Sequence, residues 1–327
     1  MFRLSYRSTL LRGSVVAAVA LATSVAAVAP SAWASDSGDR VIASVELPHV
    51  LPTQTSAEQA QRAVEYWTPE RMMAAERETD SGERTTATGS DEFVDSAEGT
   101  TTTATPVSVA QQVAAVSHIG RVFYTLNGID HACSANVVQS ANRSTVATAG
   151  HCMTGDGGFS ANSVFVPAYE NGDAPYGRWP VVAGEIAGGF TENNADQADD
   201  TGFLVVAHDD DADITSVVGA SPVVFNQSQA QEGSVFGYPA AGRFDGETLQ
   251  ACSGQFAAYA GPQQIDLPCD MNEGVSGGPM FEGDSPEGAQ FANEDARYND
   301  YSHIIGPIWQ DNEKSAYDLA AAMNPGE

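Results

Sequence analysis

From about residue 108 to 310 the apolar positions come in short runs, and each run is soon ended by Gly, Asn, Asp or Pro. That punctuation, roughly every ten residues, is the signature of an all-β sandwich or barrel. The clearest predicted strands are 122–124, 135–138, 145–147, 163–166, 203–206, 222–225, 234–236, 278–281 and 303–309. One helix closes the chain over 313–324, where Ala316, Leu319, Ala320 and Met323 recur at helical spacing and Pro325-Gly326 stops it.

The first hundred residues follow other rules. Arg3, Arg7 and Arg12 precede an alanine-rich apolar run ending in Ala32-Trp33-Ala34, the pattern of an export signal over 1–34 with cleavage after Ala34. The run is about 15 residues, short of the roughly 20 that a spanning helix needs. Residues 57–78 carry helical signals, with Thr68 as N-cap and Pro69 at the first helical position. Residues 79–107 are dominated by Ser, Thr, Gly, Asp and Glu, and bury almost nothing. We read 35–107 as a propeptide with a cleavable linker and 108–327 as the working domain. The expected product is a secreted, extracellular zymogen, soluble and monomeric, with no membrane attachment after signal cleavage and with its own propeptide as a partner.

Charge narrows the partners. Beyond residue 107 there are 29 carboxylates against six basic side chains, a formal charge of −23, which argues against nucleic acid. Cys133, Cys152, Cys252 and Cys269 form two local groups, and pairing within each group is the expectation for an exported chain. The two other pairings remain open on sequence. No CxxC or His-rich cluster suggests a metal, and no cofactor is expected.

Two short segments carry chemistry. Thr148-Ala149-Gly150-His151-Cys152 follows a β-like run, and a disulfide from Cys152 to Cys133 would stiffen the turn holding the imidazole of His151, as a general base requires. Gly274-Val275-Ser276-Gly277-Gly278-Pro279 puts Ser276 on a tight glycine turn, with the amides of Gly274 and Ser276 as oxyanion donors. For the acid that orients the histidine, Asp200 is preferred over its neighbour Asp199, because it opens Asp200-Thr201-Gly202-Phe203-Leu204, where Gly202 leaves room for the imidazole. Gly-x-Ser-x-Gly also fits the nucleophile elbow of α/β-hydrolase esterases. Chain order speaks against that, since an elbow enzyme places its acid and histidine after the serine.

The order His151, Asp200, Ser276, with a cysteine before the histidine and Gly-x-Ser-Gly-Gly-Pro around the serine, resembles the trypsin and chymotrypsin family over about residues 115–323. Within it the chain is most similar to the bacterial secreted branch near the glutamyl endopeptidases. Residues 66–72, Tyr-Trp-Thr-Pro-Glu-Arg-Met, resemble a propeptide motif of actinobacterial members. The resemblance implies two antiparallel six-stranded β-barrels, over about 115–208 and 215–312, with the triad between them and a terminal helix outside. It also implies a serine endopeptidase acting on protein or peptide substrates; a catalytically silent homologue used for binding is the alternative. Val275 departs from the aspartate of trypsin-like zymogens, so control passes to propeptide removal. Asp270 stands where a basic-specific pocket has its aspartate, and Ile308-Trp309 stands on the strand expected to border the cleft, with Ile308 replacing the histidine of glutamyl enzymes.

Overall fold

The structure is a computed structural model that describes residues 49–50, 56–77, 108–155, 158–192, 196–208 and 212–326. The expected export signal and the linker 79–107 lie outside the described residues. Six antiparallel strands close on themselves into a first barrel: β1 (Ile119–Leu126), β2 (Ile129–Val137), β3 (Thr145–Thr148), β4 (Ala161–Pro167), β5 (Trp179–Ile186) and β6 (Gly202–Val206). Their order is β5-β6-β3-β2-β1-β4, and β4 returns to β5. Asn127 and Gly128, both at positive φ, make the two-residue turn between β1 and β2. Alternation then decides the interior: Val122 and Tyr124, Cys133 and Ala135, and Phe165 join one buried cluster inside the barrel.

The second half holds β7 (Glu232–Gly237), β8 (Gln250–Gln255), β9 (Ala257–Tyr259), β10 (Gln264–Pro268), β11 (Pro279–Glu282), β12 (Gln290–Asn293) and β13 (His303–Pro307). They form two sheets, β12-β11-β7-β8 and β9-β10-β13, bridged at Ala292 and Ile308 around a core of its own. The expected all-β fold with two barrel bodies and a terminal helix is therefore present.

Several elements differ from the sequence pattern. Residues 222–225 form no strand: Val223 makes an isolated bridge with Gln290, and Pro222 has no amide hydrogen to continue a ladder. The strand β5 was hidden by Pro180, and β8, β10 and β12 by polar residues such as Gln250, Gln264 and Gln290 that are nonetheless buried. The terminal helix, α3, runs Asp311–Ala322 and starts at a Gln310–Glu313 capping box. Its buried face is Ala316, Ala320 and Ala321, whereas Leu319 is 41% exposed. The helical signals of 57–78 resolve into α1 (Ala57–Tyr66), capped by Ser56 with Gln59, and α2 (Pro69–Ala74), capped by Thr68.

Candidate active site

His151 sits in a single 3-10 turn, Gly150–Cys152, at the end of β3. Cys152 is bonded to Cys133 on β2, so the turn is tied across the barrel, and Cys252 is bonded to Cys269 in the second body. Asp200 ends another 3-10 turn, Gln197–Asp199, just before β6, and β6 pairs with β3 with Gly202 opposite Thr148. This register brings the two turns together. Asp200 Oδ2 lies 2.6 Å from His151 Nδ1, and Asp200 Oδ1 accepts from the His151 backbone amide at 2.8 Å. Gly150 permits the approach, because a Cβ there would stand 3.1 Å from Asp200 Oδ1 and 3.0 Å from Ile186.

The acid is itself braced. Asn293, on β12, donates to the Asp200 carbonyl at 2.9 Å and accepts from Thr201 and from the Trp309 indole. Asp199 points elsewhere: it accepts from Asn312 at 2.6 Å beneath the start of α3. Nearby Glu313 is pushed up to about 7, by burial first and then by the Asp199 charge, against two backbone hydrogen bonds that oppose the shift. One expectation fails in detail. The space beside Gly202 belongs to Met153, whose sulfur would be 2.2 Å from an added Cβ, and the imidazole does not occupy it.

Ser276 lies on the turn that leads into β11, a strand and not a helix, so the elbow reading does not fit. The turn is seated against the first barrel by its backbone. Ser276 accepts from the Ser134 amide at 2.7 Å, and Gly277 and Gly278 pair with Glu294 in both directions. A Cβ on Gly277 would stand 2.1 Å from Thr148 Oγ1 and 2.8 Å from the Ala149 amide, two residues from His151. Glycine, here at φ 78°, is what lets the serine turn reach the histidine turn. Gly274 has φ 93°, and among the described residues neither its amide nor that of Ser276 has a hydrogen-bond acceptor. Val275 packs into the second core at 1% exposure.

The pocket residues expected from sequence are placed differently. Asp270 is clasped by Arg243, at 3.0 Å from both Nε and Nη2, and accepts from the Ala110 amide at 2.7 Å. Ile308 is buried in the second core, and Trp309 is buried against Phe203. The chain beside Ser276 is instead 293–297, which sequence reading passed over. Its Glu294 is fully buried, and burial holds its carboxyl well above the usual range despite the opposing influence of His151 and Arg297. Arg297 pairs with Glu273, next to Gly274. The signal available was the polar row Asn293, Glu294 and Asp295 directly after the apolar pair Phe291-Ala292.

No family model and no curated protein matches the chain. Solved structures do. A protease from Arthrobacter nicotinovorans, Anisep, is 41% identical over 65% of this chain and all of its own, with a TM-score of 0.63. The thermostable serine protease AL20 from an extremophilic microorganism is 38% identical over 64% of this chain and 98% of its own, at 0.61. A Glu endopeptidase shares the fold at 17% identity, covering 65% of this chain and 97% of its own, at 0.53.

Proposed function

Since the chain belongs to the chymotrypsin-like serine proteases and is a serine-type peptidase, we propose that it cleaves peptide bonds through an acyl-enzyme on Ser276, with His151 as general base and Asp200 as the orienting acid. The observation that carries this is the double grip of one carboxylate on His151, at Nδ1 and at the backbone amide. With Nδ1 donating to Asp200, the neutral imidazole presents Nε2 as acceptor. Ser276 Oγ attacks the scissile carbonyl carbon as Nε2 takes its proton. The resulting oxyanion accepts from the amides of Gly274 and Ser276, donors of a kind worth about 2.7–4 kcal/mol of barrier. Collapse breaks the C–N bond, and His151 returns the proton to the leaving amine. Water then repeats the sequence on the ester and frees the acid and Ser276.

Burial of Val275 supports control without an ion pair to a new N-terminus, because a valine in the core offers no charge for an ammonium group. Export through residues 1–34 and processing of the pro-region complete the reading. Ala110 is 2% exposed and its amide is held by Asp270, which favours cleavage before residue 108. Digestion of an unlabelled peptide library by the secreted protein tests the activity. Cleavage that disappears in Ser276→Ala is expected; cleavage that persists, or an undigested library, contradicts it.

A further inference from the structure

We infer that residues 56–77 form a separable clasp for the outer wall of the first barrel: after the chain is cut in the linker, this segment stays bound by contacts outside the His151–Ser276 cleft, and it braces the barrel without plugging the site. The inference rests on reading 35–107 as a processed pro-region and adds where that region binds and how.

The barrel wall carries an outward apolar row. Phe123 lies between Val122 and Tyr124, which face the interior, so its ring points outward. Ala132 and Val164 stand opposite Phe123 on the two neighbouring strands, making one apolar row across β2, β1 and β4. An antiparallel sheet presents polar residues on a solvated face, and an outward apolar row needs a cover. The helix pair supplies part of that cover, beside Tyr169, whose ring lies 5.2 Å from Phe123. Trp67 is fully buried with its ring 5.4 Å from Phe123, and Ala63, Met72 and Ala75 join the same cluster.

Polar contacts fix the orientation. The Trp67 indole donates to the Asn162 carbonyl at 2.6 Å, and the Trp67 carbonyl accepts from Arg178. Tyr66 and Arg71 both donate to Asp130, at 2.7 Å each. The backbone adds two strands at open edges. Residues 76–77 run parallel to His131 and Ala132, where β3 no longer flanks β2, because β3 pairs only at Asn136 and Val137. Farther upstream, His49–Val50 pairs with Ile186 and Glu185 at the free end of β5. The contacts of 56–77 named above are made to the barrel wall and not to Asp200, Gly274 or Ser276, so holding this segment does not itself require those residues.

A test uses the full chain with a sequence-specific protease site placed within residues 85–100. After cutting, size-exclusion chromatography with mass spectrometry asks whether the N-terminal fragment co-elutes with the rest, and a fluorophosphonate probe asks whether the cleft is open. Co-elution with labelling equal to that of a sample stripped of the fragment is expected, and Trp67→Ala should speed fragment release at least tenfold. Should Trp67→Ala not fold, Asp130→Ala, at the rim, should also speed release, by a smaller factor. Prompt separation of the wild-type fragment overturns the clasp, as does a retained fragment that blocks labelling until it leaves. A retained fragment on a chain whose stripped form also takes no label leaves the clasp standing and removes the peptidase reading instead.

Discussion

The carboxylate of Asp200 meets His151 twice, Oδ2 at 2.6 Å from the ring Nδ1 and Oδ1 at 2.8 Å from the backbone nitrogen, while its neighbour Asp199 is turned to Asn312 under the terminal helix. Two adjacent aspartates thus have separate partners. Asp200→Asn should reduce kcat by about a thousandfold to ten-thousandfold, because an amide in that place favours the wrong imidazole tautomer. Asp199→Asn should leave kcat within about threefold. Steady-state kinetics on one peptide substrate compares them, and equal losses in the two variants would dissolve the distinction.

Gly277→Ala should be far more harmful than its size suggests. Its Cβ would stand 2.1 Å from Thr148 Oγ1 and 2.3 Å from the Ser134 carbonyl, at a backbone φ of 78°. The turn must shift away from the first barrel or the barrel must yield. A loss of about 3 kcal/mol or more in denaturant unfolding is expected, with hydrolysis lost wherever the protein still folds. A stable and active variant would show that the two halves are not in such close contact.

How much of this was legible beforehand follows from where the information sits. His151 and Ser276 stand out as candidates because each lies in a short segment whose glycines and cysteine have local reasons. Asp200 needed the register of β6 against β3, which no spacing along the chain reveals, and preference for it over Asp199 came with an incorrect reason, since Met153 and not the imidazole fills the space at Gly202. The surroundings of the pocket candidates were not legible because burial depends on sheets: Ile308 and Trp309 continue past β13 into the cores, and Arg243 reaches Asp270 from 27 residues away. Buried glutamines disguised β8, β10 and β12 as loops.

The grip of Arg243 on Asp270 bears on selectivity. A carboxylate that is already paired and bound to the Ala110 amide is not offered to a basic side chain. Asp270→Asn should leave the residue preference of peptide-library cleavage unchanged. Loss of cleavage after arginine or lysine in that variant would put Asp270 back in the pocket.

Stability should carry the mark of Glu313. Its folded pKa is raised from 4.5 to about 7, so the native state holds the proton more tightly than the unfolded chain. Stability from this group is therefore full below about 4.5, falls as pH rises toward 7, and is flat above. Glu313→Gln keeps an acceptor for the Gln310 amide but cannot ionise. Relative to the parent, it should gain on the order of 2 kcal/mol between pH 5 and pH 8 in denaturant unfolding. Parallel pH profiles for the two proteins would count against a buried, proton-holding carboxyl.

Covalent capture at the serine tests the central claim most directly. The protein is treated with a fluorophosphonate and digested, and the modified peptide is sequenced by mass spectrometry. The adduct should fall on Ser276 alone, and His151→Ala should slow its formation by about a thousandfold or more. An adduct on another serine, or labelling at an undiminished rate without His151, would contradict the account.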